Sequence, residues 1–432
     1  MPSFQILTLG CKLNQLESEA ITDAYAAEGY GLYTQNGESP SLIIVNTCTV
    51  TSKADQKARR VIRKALRDFP DAGVIVTGCY AQLNKDDILK LETDGRQRLS
   101  VVGKDKIIKK NGNDLFQFNP GQFSQHTRSF LKIQDGCDRC CTYCRIRLAR
   151  GKSVSLDAEE VLKRLCVLEE THAEAVLTGV NISQYKEQGR EKNLTAQLHG
   201  VTRSEEERAF GLRELLDYLL SGTKKIAIRL SSLAPQSVDE VLCKVLRHPR
   251  IRPHFHLSVQ SGSDKILEKM GRMYNAMAVE NAVSLLRGAK DDPFLACDII
   301  TGFPGETEIE FEQTLNLCRK LDFAWIHVFP YSRRQGTPAY SFKGAVTESE
   351  VTKRVKLFTD LAKQGRADYI RRWLGREVDA VAEKRGLGTT DNYLKVLIKG
   401  ENQPLAGSVV RCRLTGIGSA DNYDATAEIL WR

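Results

Sequence analysis

Short apolar runs alternate with amphipathic stretches along the first 80 residues of the chain, and the pattern repeats three times. Each apolar run is typical of a β-strand, and the polar–apolar period that follows is typical of a helix. The predicted strands are FQILTLG, SLIIVNT and GVIVTG, and the first two precede predicted helices at Gln15–Glu28 and Lys53–Phe69. This alternation indicates a parallel α/β sheet, which we assign to residues 1–120.

A second alternating segment begins near Ser129. Six βα units with right-handed crossovers form a partly closed barrel, so we predict a partial (βα)6 barrel over residues 125–345. Its polar, aperiodic stretch Lys186–Arg208 predicts a surface insertion. The predicted strands are SFLKIQ, EAVLTG, KIAIRLSS, HFHLSVQ, FLACDIITG and AWIHVFPYS, and the predicted helices are Leu156–Glu170, Leu212–Leu220, Ser237–Leu246, Asp264–Arg287 and Glu308–Lys320.

The pattern changes after about Ala345. A linking segment, residues 346–374, contains one long amphipathic helix, Glu348–Trp373, and short alternating strands with Gly, Asn and Asp turns follow it. They predict a small antiparallel β-barrel of OB-like shape over residues 375–432, a shape that often binds oligonucleotides. Candidate RNA contacts in this barrel, with ordinary barrel surface as the alternative, are Tyr393, Lys395 and Arg411.

Composition describes a folded protein of more than one domain, since 432 residues exceed one ordinary core and 41% of them are hydrophobic. The formal net charge of +9 favours a polyanionic partner, nucleic acid before membrane. No apolar run approaches the roughly 20 residues of a membrane helix, and the start MPSFQILTLG has no signal-peptide pattern. We therefore expect a cytoplasmic protein with no membrane partner.

Cysteine is frequent, with 12 residues, and clustered thiols in a reducing compartment indicate metal or redox chemistry. Cys11, Cys48 and Cys79 each follow one of the first three predicted strands. Parallel strands end at one edge of their sheet, so these thiols are expected to converge there. The alternative is three separate buried thiols.

A second cysteine group lies in IQDGCDRCCTYC, after the first predicted strand of the (βα)6 segment. Cys137, Cys141 and Cys144 have the spacing C-x3-C-x2-C, while Cys140 leaves C-x2-C-x3-C open as an alternative. Thiolates suit iron–sulfur clusters and zinc, but structural zinc usually takes four ligands, often from two separate C-x2-C arms, and no matching second arm occurs outside this loop. Three thiolates on a four-iron cluster leave one iron without a protein ligand.

The spacing and its place in the fold resemble the radical S-adenosylmethionine (SAM) superfamily, which favours Cys141 over Cys140. The resemblance implies that SAM binds the open iron and is cleaved to a 5′-deoxyadenosyl radical, and that Tyr143 borders the SAM adenine. Polar groups at the strand ends would hold the amino acid and ribose of SAM, with turn-forming or strand-capping residues as the alternative. Those candidates are Gly179, Ser232, Gln260 and Asp298.

A narrower resemblance is to the methylthiotransferase family, carried by LGCKLNQLES, NTCTV, TGCYAQ, LTGVNISQY, LSVQSGS, DIITGFPGET and FPYSRRQGTPA. It implies a second, auxiliary [4Fe-4S] cluster on Cys11, Cys48 and Cys79, whose open iron holds the sulfur to be transferred. It also implies that the terminal barrel is an RNA-binding TRAM domain. Two SAM molecules would serve each turnover, one as methyl donor and one as radical source.

LGCKLN, YSRRQGTPA and GTTDNYLKV are most similar to the branch that modifies threonylcarbamoyl-adenosine at position 37 of tRNA. Isopentenyl-adenosine of tRNA and a ribosomal-protein aspartate are the alternative substrates of this chemistry. A non-catalytic RNA-binding protein stabilised by zinc or a cluster is the alternative of another class. We expect a monomer whose partners are tRNA, a sulfur source and an electron donor such as flavodoxin or ferredoxin.

Overall fold

The computed structural model describes residues 2–34, 39–104, 106–107, 116, 129–187, 210–400, 403–419 and 422–430. The predicted insertion therefore lies almost wholly outside the described residues, from 188 to 208. No helix in these described ranges is long and apolar enough to cross a membrane. The chain forms two compact units: the first is Met1–Asn119, Asp135–Val154 and Ser332–Tyr340, and the second is Pro120–Gln134, Ser155–Tyr331 and Ser341–Arg432.

The first unit is built on a five-stranded parallel sheet of order β2-β1-β3-β4-β5. The three predicted strands are confirmed as β1, β3 and β4. The edge strands β2 and β5 were not predicted, because two or three residues carry too little pattern. The elements are β1 (Ser3–Thr8), α1 (Lys12–Ala27), β2 (Gly31–Leu32), β3 (Leu42–Thr47), α2 (Ser52–Asp68), β4 (Gly73–Gly78), α3 (Cys79–Leu83), α4 (Lys85–Leu89), β5 (Leu99–Val101) and, from the second stretch of this unit, α5 (Ile146–Arg150).

The second unit contains all six predicted strands of the (βα)6 segment. They form two parallel ladders, β7-β6-β8-β9 and β10-β11-β12, in which β7 is a short additional strand. Between the ladders lie the isolated parallel bridges Ile228–Ile251 and Leu233–Leu257. The strands are β6 (Ser129–Asp135), β7 (Val154–Ser155), β8 (Glu174–Gly179), β9 (Ala227–Leu230), β10 (His254–Gln260), β11 (Phe294–Thr301) and β12 (Trp325–Pro330).

Helices pack around these strands and bury the apolar faces that the sequence pattern predicts. The predicted helix Asp264–Arg287 is wrong as one element, because it divides into two. Gly271 adopts a left-handed φ of 71° after the first helix, and the Asn275 side chain caps the second by accepting from the Ala278 N–H at 3.0 Å. The helices are α6 (Ala158–Thr171), α7 (Leu212–Gly222), α8 (Glu240–Leu246), α9 (Asp264–Lys269), α10 (Ala276–Ala289) and α11 (Glu308–Lys320).

The C-terminal part begins with the long helix α12 (Glu348–Trp373), as predicted, and continues as a closed barrel of order β13-β14-β15-β17-β16. The barrel departs from the predicted antiparallel arrangement in one place, since β15 and β17 pair in parallel. Gly365 is required where α12 crosses the strands, because a Cβ there would lie 2.2 Å from the Phe323 carbonyl oxygen. The barrel strands are β13 (Glu377–Ala382), β14 (Leu387–Thr390), β15 (Lys395–Lys399), β16 (Val409–Ile417) and β17 (Ala425–Ile429).

The barrel shares a hydrophobic core with the rest of the second unit. Phe294 of β11 and Tyr369 and Trp373 of α12 pack with the inward-facing residues of β13, β15, β16 and β17. A buried ion pair adds to this contact: Arg229 donates to Glu174 at 2.7 and 2.9 Å and to the Thr390 carbonyl at 3.2 Å. Deleting the barrel would therefore uncover part of this shared core.

Replacing Arg229 with Met is expected to lower the free energy of unfolding by about 3 kcal/mol, because Glu174, with a side chain 1% exposed, would lose its main partner. Urea denaturation measures the change. The matched control is Arg247→Met, at an exposed position of the same unit, where a loss of at most about 1 kcal/mol is expected. Equal losses in the two variants would contradict a role for the buried ion pair.

Candidate active site

The three strand-end cysteines lie at one edge of the first unit's sheet. Cys11 immediately precedes α1, Cys48 follows β3, and Cys79 begins α3 directly after β4. Because β1, β3 and β4 are adjacent and parallel, their carboxyl ends bring the three residues together. Cys48 and Cys79 are buried, and Cys11 is exposed.

Side-chain amides hold the loops that carry these cysteines. Asn14 donates to Asn46 Oδ1 and to the Thr47 carbonyl, both at 3.1 Å, and accepts from Cys11 Sγ at 3.3 Å. At Gly78, just before Cys79, a Cβ would lie 2.3 Å from the Thr47 carbonyl oxygen. The close backbone approach at Gly78 and the Asn14–Asn46 contact therefore hold the cysteine loops against one another.

The chemistry of the three thiols fits an iron–sulfur cluster. Burial raises the pKa of the Cys48 thiol to about 11, and the nearby Cys11 and Cys79 sulfurs also raise it. A cationic cluster core would relieve this mutual repulsion of thiolates. No three His, Cys, Asp or Glu side chains of the described ranges form a site for one metal ion, whereas a cluster takes its thiolates on separate irons.

The second cysteine group lies on the loop between β6 and α5, in the same unit. The Cys137 N–H donates to the Gly151 carbonyl and the Cys144 N–H to the Cys141 carbonyl, both at 3.1 Å, which shapes the loop. The Ile146 N–H points at Cys144 Sγ at 3.4 Å. Tyr143 lies between the two last cysteines and is half-buried.

Cys140 differs from its neighbours in environment. It is exposed, whereas Cys137, Cys141 and Cys144 are half-buried. Its sulfur accepts from Arg147 Nη1 at 2.6 Å. This contact directs Cys140 toward the guanidinium of Arg147, and Cys141 stays the predicted ligand.

Two buried arginines connect the auxiliary-cysteine region to other stretches of the first unit, and both were missed from sequence. Arg150, at the end of α5, donates to Glu17 of α1 at 2.8 Å and to Asp135 at 2.9 Å, with its side chain 2% exposed. Arg334 donates to Asp55 and to the Thr49 hydroxyl, both at 2.7 Å, beside Cys48. The chain has 63 Lys and Arg residues, and nothing in the neighbouring sequence distinguishes the few that are buried from the many at the surface.

The second unit carries four of the five predicted SAM-binding residues, and two of these four are connected through a histidine; the fifth, Tyr143, belongs to the first unit. Ser232 Oγ lies 2.6 Å from His256 Nδ1, and His256 Nε2 lies 3.1 Å from Asp298 Oδ1. Sequence analysis missed His256 because it follows no ligand spacing. The three side chains form a polar row, with Ser232 two residues after β9, His256 on β10 and Asp298 on β11.

Gly179 and Gln260 end strands of the same unit. A Cβ at Gly179 would lie 2.8 Å from the Gln134 carbonyl oxygen, so this position requires glycine. Gln260 is 8% exposed and has a φ of 68°, where the register of β10 shifts against β11. A non-glycine residue held in this region is strained, which is common at ligand sites.

The predicted RNA contacts differ in their surroundings. The Tyr393 ring packs 4.0 Å from the His254 ring and beneath Arg229, which leaves its faces little room for a base. Arg411 pairs with Asp379 at 3.0 Å and Glu377 at 3.4 Å. Lys395 is exposed on β15 and remains the best placed of the three for phosphate.

Two family models match the chain. Residues 3–97 match the Uncharacterized protein family UPF0004, and residues 131–318 match the Radical SAM superfamily. The second match implies SAM and a [4Fe-4S] cluster.

Curated relatives match over nearly the whole chain. A threonylcarbamoyladenosine tRNA methylthiotransferase MtaB of Treponema pallidum is 36% identical, over 97% of this chain and 99% of the relative. The protein of the same name from Thermotoga maritima is 34% identical, over 93% of this chain and 91% of the relative. Among solved structures, the radical SAM methyltransferase TsrM of Kitasatospora setae is 15% identical with a TM-score of 0.48, covering 78% of this chain and 77% of that one.

Replacing Cys141 with Ala is expected to abolish cleavage of SAM to 5′-deoxyadenosine under reducing conditions, because a cluster ligand is lost. Cys140→Ala is the matched control and should retain cleavage, since its sulfur contacts Arg147. Product is quantified by chromatography, together with the iron content of both variants. Full cleavage by the Cys141 variant and none by the Cys140 variant would reverse the assignment.

Proposed function

Since the chain belongs to the family of threonylcarbamoyladenosine tRNA methylthiotransferases within the radical SAM superfamily, we propose that it adds a methylthio group to C2 of N6-threonylcarbamoyl-adenosine at position 37 of tRNA. One SAM is the proposed methyl donor and a second is the radical source. The proposed partners are tRNA, a sulfur source and an electron donor such as flavodoxin or ferredoxin.

The observation that carries this proposal is the presence of two separate three-cysteine groups in one compact unit. A radical SAM enzyme that only cleaves SAM needs the single group Cys137, Cys141 and Cys144. The convergence of Cys11, Cys48 and Cys79 at a sheet edge supports a second cluster, as sulfur transfer requires. The two buried arginines support this interpretation, because each connects an auxiliary-cysteine loop to another stretch of the same unit.

Cys137, Cys141 and Cys144 would hold a cluster that would supply the electron for SAM cleavage, and Cys11, Cys48 and Cys79 would hold one that would carry the sulfur to be transferred. The chain's own residues would bind SAM and orient it. Tyr143 is proposed to border the SAM adenine. Gly179 and Gln260 would offer backbone at strand ends, and the row Ser232, His256 and Asp298 would offer polar groups to the SAM amino acid and ribose.

The modified nucleosides of tRNA test the proposal. In a strain that lacks this protein, 2-methylthio-N6-threonylcarbamoyl-adenosine is expected to disappear, and the unmodified precursor should accumulate. Mass analysis of digested tRNA measures both species. Loss of a methylthio isopentenyl product with an unchanged threonylcarbamoyl product would assign the chain to the other tRNA substrate.

The auxiliary cysteines should be separable from the radical chemistry. A variant with Cys11, Cys48 and Cys79 all replaced by Ala is expected to form 5′-deoxyadenosine but no methylthio product. Its iron and sulfide should fall from about eight to about four of each per chain. A colourless wild-type protein containing one zinc would instead support a non-catalytic RNA-binding protein.

The terminal barrel is proposed to bind tRNA through exposed Lys and Arg side chains. Lys395→Ala should weaken tRNA binding and reduce the slope of log K against log salt by about 0.7–0.9, the effect of one lost phosphate contact. Filter binding across a salt series measures this. The control, Arg411→Ala, removes a side chain already paired with carboxylates and should change the slope less. An unchanged slope in the Lys395 variant would exclude that residue from the contact.

A further inference from the structure

A lysine lies directly beside the auxiliary cysteines. Lys104 follows β5, and its Nζ lies 3.4 Å from Cys79 Sγ and 3.6 Å from Glu17 Oε1. Its side chain is only 12% exposed. A lysine is rarely this buried unless its charge is used or paired.

The pairing of Lys104 is incomplete, because Glu17 is shared. Arg150 donates to both oxygens of Glu17, at 2.8 and 3.3 Å, and also contacts Asp135. Charges therefore alternate along Asp135, Arg150, Glu17 and Lys104, and the row ends with an ammonium at a cysteine sulfur. Glu17 is therefore shared between two cations, and the Lys104 ammonium also contacts Cys79 Sγ.

Three thiolates outweigh the positive charge of an oxidised cluster core, so the auxiliary site is anionic before any further sulfur enters. A hydrosulfide or methanethiolate bound there adds one more negative charge. An ammonium has three N–H donors. One is directed at Cys79 Sγ at 3.4 Å, while Glu17 at 3.6 Å is an ion-pair partner, so Lys104 places positive charge and further donor capacity beside a cysteine sulfur of this site.

We propose that Lys104 is a positioning residue that holds the anionic sulfur ligand of the auxiliary cluster in place for transfer. The proposal rests on the function proposed above, because it presupposes that cluster. The Lys104 ammonium compensates the negative charge of the entering thiolate. Arg150 binds Glu17 and so keeps that carboxylate from neutralising the ammonium. No bond is made or broken by Lys104 itself.

Methanethiolate is the probe, and it is added to the full-length chain with Cys137, Cys141 and Cys144 replaced by Ala. In this chain only the auxiliary cluster contributes to the spectrum. Titration is followed by the electron paramagnetic resonance spectrum of the reduced auxiliary cluster. In this background, Lys104→Met should weaken methanethiolate binding about tenfold, and Lys104→Arg, which keeps the charge, should stay within about twofold. Lys106→Met is the matched control, since Lys106 is exposed in the same turn. This variant should bind methanethiolate with unchanged affinity.

Equal methanethiolate affinity of the triple-Ala chain with and without Lys104→Met would overturn the proposal. Should Lys104→Met fail to hold iron, Lys104→Gln carries the same test, since it keeps an N–H donor without the charge. Loss of iron from both variants would also overturn it, because Lys104 would then support the cluster and not its ligand.

The outcome is distinguishable from failure of the proposed function. If the background chain with Lys104 intact holds no iron or gives no response to methanethiolate, the auxiliary sulfur site itself is refuted. If that chain responds and Lys104→Met responds identically, only the role of Lys104 is lost.

Discussion

The burial of one guanidinium holds the first unit together. Removing Arg150 from water costs several kcal/mol, and the contacts with Glu17 and Asp135 offset that cost. Glu17 belongs to the helix that begins just after Cys11, whereas Asp135 and Arg150 flank the loop of the second cysteine group. The two cysteine loops are therefore positioned by shared ion pairs of Arg150.

In the second unit, a small barrel is attached to a much larger α/β part. Phe294, Tyr369 and Trp373 belong to the larger part but complete the barrel's core, and Arg229 reaches from β9 to a barrel carbonyl. A barrel of five short strands buries little apolar surface alone, so its stability depends on these neighbours. This dependence also explains why Tyr393 packs inward instead of presenting its ring to solvent.

The local sequence pattern was sufficient to predict most helices and strands and the convergence of the three strand-end cysteines. The strand at Glu174–Gly179, the helix at Glu348–Trp373 and the convergence of Cys11, Cys48 and Cys79 follow from periodicity and from the geometry of parallel sheets. The residues that sequence reasoning missed act over long separations. Arg150 meets Glu17 across 133 positions and Arg334 meets Asp55 across 279, and charge alone does not distinguish such residues from surface ones. His256 was missed because it follows no ligand spacing, since its partners Ser232 and Asp298 come from other βα units.

The first unit is assembled from three separated stretches of chain, and this has a consequence for its synthesis on the ribosome. Asp55 emerges 279 residues before its partner Arg334. At about 5–20 residues per second, the interval is roughly 15–55 s. Throughout that time the nascent chain lacks Arg334, and until residue 150 has emerged it lacks Arg150 as well. Cys11, Cys48 and Cys79 are therefore exposed to oxidation or to binding by other metals before their contacts are complete. Correct loading of iron and sulfide therefore favours delivery after translation has passed residue 340.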